Sequence, residues 1–173
     1  MANKKVLLII GHQDFQPVEY GTPKMILEQA GVEVITVSDL PGTAVSSIIT
    51  KSAKIDLTLE EINAVDYDGV FFIGGQGAHD FLENELSYKI AREALKAGKA
   101  LGAICYSTRI LAHARVLKNK KATGWDGDDE LSGILKKAGA EYIRQPVVDD
   151  GKLITAVGPP AAESWTKKIL EKI

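Results

Sequence analysis

Three short stretches carry residues that could do covalent chemistry. The first is Ala103-Ile104-Cys105-Tyr106-Ser107, where an apolar run turns into a helical pattern. A nucleophile elbow between strand and helix needs small residues two before and two after the nucleophile, because the tight turn brings those positions together. Ala103 and Ser107 meet that need, and the dipole of the helix beyond favours a thiolate. The second stretch is Gly74-Gly75-Gln76-Gly77, three glycines in four positions after another apolar run. Such a loop lets backbone N–H groups approach a developing oxyanion. It is not a dinucleotide fingerprint. Gly75-Gln76-Gly77-Ala78-His79-Asp80 lacks a third glycine at the required place, and no P-loop Gly-Lys-Ser/Thr follows. The third is Glu19, at the start of a helical pattern just after Pro17. A carboxylate there complements the helix dipole. In an apolar crevice its pKa rises, and the protonated acid donates a hydrogen bond to a thiolate. Each feature also has a plain structural reading: a buried cysteine packs as a small hydrophobe, glycines make turns, and acids cap helices.

Composition bounds what these residues can do. The 173-residue chain holds one cysteine, which excludes an intramolecular disulfide and a multi-thiolate metal site. No metal and no cofactor is expected. Lys and Arg number 21 against 23 Asp and Glu, a net charge of −2. That balance argues against nucleic acid or an anionic membrane as the main partner. The length suits a single domain, 1–173, large enough to bury a core without staples. No stretch approaches the ~20 apolar residues of a membrane helix. The basic start leads into Val6-Leu7-Leu8-Ile9-Ile10, but that run stops at Gly11, too short for a signal-peptide core, so a cytoplasmic location is expected.

The elements that must position the three stretches follow from periodicity. Residues 6–10 and 70–73 are continuous β-prone apolar runs, as in strands covered on both faces. Further strands are expected at 32–37 and 100–104. Helical patterns run over 20–30, 84–97, 107–114, 128–138 and 159–173, several closed by glycine. Residues 59–65 read as a short helix, and 38–54 as a turn or short edge strands. Val147-Val148 and Leu153-Ile154-Thr155-Ala156 flank Asp149-Asp150-Gly151-Lys152, a hairpin signal. Alternating strands and helices imply βαβ units. The expected fold is a three-layer α/β domain of flavodoxin-like type with a mostly parallel sheet. Ligands bind beyond the carboxyl ends of such strands, which selects the loops 12–19, 74–80 and 105–108.

Taken together, these loops resemble the ThiJ/PfpI superfamily, the class I glutamine-amidotransferase-like group that includes the Parkinson-associated oxidative-stress protein. The resemblance rests on Val6-Leu7-Leu8-Ile9-Ile10, on residues 15–23 with Glu19, on Phe71-Phe72-Ile73-Gly74-Gly75 and on Gly102-Ala103-Ile104-Cys105. Residues 124–127 and the 147–156 hairpin are also similar. It implies that Cys105 is a nucleophile or oxidation-sensing thiol, that Glu19 is the buried acid hydrogen-bonded to it, and that N–H groups at Gly75 and Tyr106 line an anion pocket beside Gly74. It also implies a homodimer or higher homo-oligomer. Two departures stand out. Protease-like and chaperone-like branches carry a His directly after the cysteine, where this chain has Tyr106. The stretch Thr123-Gly124-Trp125-Asp126 lacks the His common in the oxidative-stress branch. His12 and His79 lie at strand ends and are candidate site-lining residues, as is Trp125. His113 sits eight residues into the helix, a rise of ~12 Å, and reads as a packing or surface residue.

The expected function is cysteine-dependent attack on a small electrophilic carbonyl, glyoxalase III-like or deglycase-like, in a stress response. Glu19 would move protons while N–H groups at Gly75 and Tyr106 hold the oxyanion. The alternatives are a redox-responsive, non-enzymatic protein with an oxidisable Cys105, and an intracellular cysteine peptidase or amidase. Tyr106 weighs against the last, because its reference pKa of ~10 makes it a poor base at neutral pH.

Overall fold

The computed structural model describes residues 3–173; Met1 and Ala2, which open the basic start discussed above, lie outside the described residues. Strands β1 (Lys5–Ile10), β2 (Glu33–Ser38), β5 (Leu57–Thr58), β6 (Gly69–Phe72), β7 (Ala100–Ile104), β10 (Val147–Asp150) and β11 (Leu153–Ala156) form one sheet in the order β10-β11-β7-β6-β1-β2-β5. All neighbours pair in parallel except β10 with β11, the hairpin that the Asp-Asp-Gly-Lys turn announces.

The alternation of side chains along a strand explains the unbroken apolar runs. In β1, Leu7 and Ile9 enter one core while Val6, Leu8 and Ile10 enter the other. In β6, Val70 and Phe72 face one way and Phe71 the other, so all of them are fully buried. Helices α2 (Glu85–Lys96), α3 (Thr108–His113) and α4 (Leu131–Lys137) cover the first face. Helices α1 (Pro17–Gln29) and α5 (Ala162–Lys172) cover the second, where Trp165 meets the edge of Phe71 at 5.8 Å between ring centres.

Several boundaries differ from the sequence reading, each for a local reason. Helix α1 starts at Pro17 rather than residue 20, because the Gln16 side chain accepts the N–H groups of Val18 (2.6 Å) and Glu19 (3.2 Å). Helix α4 starts at Leu131 rather than 128. Asp126 takes the Leu131 N–H at 2.9 Å, while Asp128 is drawn to Arg109. The stretch 59–65 forms two 3₁₀ turns, Leu59–Glu61 and Ala64–Asp66, in place of one helix. Residues 38–54 fold into a hairpin, β3 (Thr43–Ser46) with β4 (Lys51–Lys54), bridged to Gln13 at Val45. Unanticipated were the two-residue pair β8 (Lys121–Ala122) and β9 (Glu141–Tyr142), and a π-helical turn at Ala78–Leu82.

The chain runs from β1 outward to β2 on one side, while β6 lies on the other. The topological switch therefore falls between β1 and β6. The loops after β1, β6 and β7 converge beyond their carboxyl ends, and these are the three loops selected above. No helix is long and apolar enough to cross a membrane among the described residues.

Candidate active site

Cys105 follows β7 directly and has φ +63°, a left-handed conformation that side chains other than glycine rarely adopt. Its neighbours over-determine that strain. The Ser107 hydroxyl donates to the Ile73 carbonyl at 2.7 Å, tying the elbow to the end of β6. The Thr108 hydroxyl donates to Thr123 O at 2.8 Å, and the Trp125 N–H donates to Cys105 O at 3.1 Å. The Thr123 N–H in turn donates to Thr155 Oγ1 at 2.9 Å, anchoring the whole turn to β11.

Across from the thiol, the glycine loop makes room where nothing larger fits. A Cβ on Gly74 would lie 2.6 Å from both Cys105 Cβ and Glu19 Oε2. Gly75 has φ +103°, and its Cβ would lie 2.6 Å from Asp14 O and Gln16 N. The Glu19 side chain is fully buried between these loops. Its Oε2 accepts the Gly74 N–H at 3.0 Å, and Oε1 has no hydrogen-bond partner among the described residues. Burial lifts the Glu19 pKa to about 7, against the pull of hydrogen bonds from Cys105 and Gly74. Burial and the neighbouring Glu19 charge push the Cys105 thiol up to about 12. The N–H groups of Tyr106 and Gly75 work the other way, favouring the thiolate. The helix beyond the elbow was expected to favour a free thiolate; here desolvation and Glu19 outweigh it. A resting thiol therefore sits beside a carboxylate whose basicity is matched to neutral pH.

Above Cys105 opens a cleft of 580 Å³, walled by His79, Tyr106, Arg109, His113, Trp125 and Asp128 among others. Arg109 is buried, with its guanidinium 5.0 Å from the centre of the Tyr106 ring and 5.4 Å from that of Trp125. It donates to both carboxylate oxygens of Asp128, at 3.0 and 2.6 Å. Beside it, His113 Nδ1 lies 2.9 Å from Glu83 Oε2, and the Tyr88 and Tyr106 hydroxyls also donate to Glu83. The hydrogen bond to Glu83 raises the His113 pKa. Burial works to raise Glu83, yet the bonds from His113 and Tyr88 hold it below the usual range. Burial, then Glu83, pushes the Tyr106 phenol up to about 12.

The structure thus gathers Cys105, Gly75, Tyr106, His79 and Trp125 on one cleft, with Gly74 and Glu19 beneath it. One expectation needs correction. His12 does not line this cleft: its Nδ1 is drawn 2.6 Å from Asp39 Oδ2 and its ring packs 4.2 Å from Phe81. His113, read as a packing or surface residue, is half exposed and also lines the cleft, with Glu83 behind it. Sequence reasoning passed over Arg109, Asp128, Asp80 and Glu83. A lone arginine inside Thr108-Arg109-Ile110-Leu111-Ala112 is the one signal that could have found Arg109.

The profile of the DJ-1/PfpI family matches residues 4–172. The chain belongs to the DJ-1/PfpI family. A DJ-1/PfpI relative, the Deglycase PfpI of Pyrococcus furiosus, is 30% identical over 95% of this chain and 97% of its own. An uncharacterized protein of Methanocaldococcus jannaschii is 34% identical over 100% of this chain and 84% of its own. The crystal structure of a ThiJ/PfpI domain protein from Brachyspira murdochii superposes with a TM-score of 0.90 at 27% identity, covering 98% of this chain and 96% of that one. The flavodoxin-like architecture is thus that of the DJ-1/PfpI family.

Proposed function

We propose that this DJ-1/PfpI protein uses Cys105 to attack small electrophilic carbonyls, 2-oxoaldehydes or adducts derived from them, in glyoxalase III-like or deglycase-like chemistry. One observation carries the reading: a strained elbow thiol faces a buried carboxylate whose pKa is lifted to about 7. Such a carboxylate takes the thiol proton as sulfur attacks, so no standing thiolate is required. The N–H groups of Gly75 and Tyr106, which favour negative charge on sulfur, also suit an oxyanion formed next to it. The deglycase name of the Pyrococcus furiosus relative supports the same class of substrate.

The test is conversion of methylglyoxal to lactate by the wild type and by Cys105→Ala. Loss of turnover in the variant is expected; equal turnover in both rejects the assignment. A second reading has its own support in the unpartnered Glu19 Oε1. A protonated Glu19 could hold a Cys105 sulfinate there, making the protein a redox responder. Mass spectrometry after mild peroxide should then show two added oxygens at Cys105, and a thiol that stays reduced in the folded protein excludes it. Peptidase activity ranks behind both, because Tyr106 keeps its proton to about pH 12 and offers no base.

The same proposal extends to surroundings and assembly. Chemistry at a lone reduced thiol suits a cytoplasmic setting. Val18, Met25, Ile48 and Ile49 are exposed apolar side chains around α1 and the end of the β3–β4 hairpin. A second copy of the chain covering that face would give the homo-oligomer that the family resemblance implies.

A further inference from the structure

The chain lacks a histidine beside Cys105, yet carbonyl isomerisation needs a group that lifts a proton from carbon. Two histidine–carboxylate pairs border the cleft, and both reach Tyr106, one through its ring and one through its hydroxyl. His113 is tied to both oxygens of Glu83, at 3.0 and 2.9 Å, and ends α3, eight positions after Cys105 in the sequence. His79 follows the loop that also supplies Gly75 and lines the same cleft as Cys105. Its Nδ1 is 2.6 Å from Asp80 Oδ1, and the Gln76 amide donates to that same oxygen at 3.0 Å. The Nε2 atom has no hydrogen-bond partner among the described residues, and the ring meets the edge of Tyr106 at 5.2 Å. The residues 78–82 that carry His79 and Asp80 form a π-helical turn, a form concentrated at functional sites because it re-aims side chains at some cost in backbone bonding. A histidine oriented by a carboxylate, with its far nitrogen free on the cleft that holds a nucleophile, has the makings of a general base.

We propose that His79, oriented by Asp80, is the general base and acid that serves Cys105 of the same chain, in place of the histidine missing beside the cysteine. This rests on the carbonyl chemistry proposed above. Sulfur of Cys105 bonds to C1 of a 2-oxoaldehyde while the thiol proton passes through Glu19 to O1, giving a hemithioacetal. His79 Nε2 accepts the proton on C1, and the electron pair left behind forms the C1–C2 enediolate with its charge on O2. The imidazolium returns that proton to C2 as the O1 proton moves to O2, leaving a thioester of a 2-hydroxy acid. A water then adds to C1, the S–C1 bond breaks, and the thiol recovers its proton. The carbon C1 is oxidised and C2 reduced, so no external oxidant or reductant enters.

The experiment follows methylglyoxal turnover in the wild type, Cys105→Ala, His79→Ala and Asp80→Asn, with and without added imidazole. His79 is exposed at its rim, with 56% of its side-chain surface accessible, so its replacement leaves the core intact. We expect His79→Ala to lose roughly 100-fold or more in kcat, Asp80→Asn to lose less, and imidazole to restore part of the His79→Ala rate but none in Cys105→Ala. Iodoacetamide should still alkylate Cys105 in His79→Ala at the wild-type rate. A His79→Ala rate within threefold of wild type, while Cys105→Ala is dead, overturns this role and leaves the carbonyl reading standing. A large loss that imidazole does not restore assigns His79 to packing and likewise overturns it. A wild type no faster than Cys105→Ala overturns both.

Discussion

Glu19 and Glu83 are both carboxylates that sit behind residues lining one cleft, Glu19 beside Cys105 and Glu83 behind His113 and Tyr106, and their surroundings drive them in opposite directions. Glu19 is sealed beneath Gly74 with no ion-pair partner among the described residues, so burial dominates and its pKa climbs to about 7. Glu83 is also largely buried, but His113, Tyr88 and Tyr106 converge on it and hold it below the usual range. The proton affinity of a carboxylate is therefore set by the balance between its burial and the donors aimed at it. The group left short of donors is the one suited to move protons at neutral pH, and the well-partnered group serves the architecture.

The largest expected effect separates the two in activity. Glu19→Gln should reduce methylglyoxal turnover by roughly 100-fold or more, while Glu83→Gln should cost less than about tenfold. Similar losses in both variants would dissolve the contrast. Next comes stability. The folded-state pKa of Glu19 lies above its ordinary value, so the folded protein holds this proton more tightly than the unfolded chain does. Stability is therefore greatest below about pH 4.5 for this group and falls as pH rises through about 7. Glu19→Gln removes the cost of burying the charge and should stabilise the protein by about 3 kcal/mol at pH 8, with the gain vanishing near pH 4. Urea midpoints at the two pH values decide it, and a destabilised variant at pH 8 would contradict the raised pKa.

The smallest effect falls on the Glu83 side. His113 has its pKa raised, so its bond with Glu83 contributes below the ordinary histidine value and is lost as pH climbs through the raised one. The lowered Glu83 contributes above the ordinary carboxylate range and is lost in acid. The pair is therefore at full strength between those limits. Because His113 is 45% exposed, Glu83→Gln should cost only about 0.5–1 kcal/mol at pH 6. Proton NMR should show the His113 titration moving to lower pH in that variant, and an unmoved titration would show that Glu83 is not its partner.

Much of this arrangement is legible in the residues because it depends on local pattern. The apolar runs of β1 and β6 name strands buried on both faces, and Ala103 and Ser107 around Cys105 name an elbow. Glu19 could be singled out as a helix-start acid, but only its full burial in the folded chain, against the downward pull of the Gly74 N–H from 55 residues away, explains its raised pKa. The walls of the cleft are harder to read. Arg109 meets Asp128 and His113 meets Glu83 across long separations, and no spacing rule links them. His12 shows the reverse failure: its place at a strand end is right, but Asp39 at the end of the neighbouring β2 captures its ring. Two-residue strands such as β8 and β9 carry too little pattern for any periodicity to show.

The bond from Thr123 N–H to Thr155 Oγ1 has a consequence for the nascent chain. The turn that crowns Cys105 is fastened to β11, which is synthesised after it, and β11 pairs directly with β7. At 5–20 residues per second, synthesis needs roughly 3–10 s to pass from Cys105 to Thr155. Throughout that interval β7 lacks its β11 neighbour and the turn over Cys105 lacks the Thr155 hydroxyl that anchors it. The fastened form of the elbow around Cys105 thus waits for the arrival of β11.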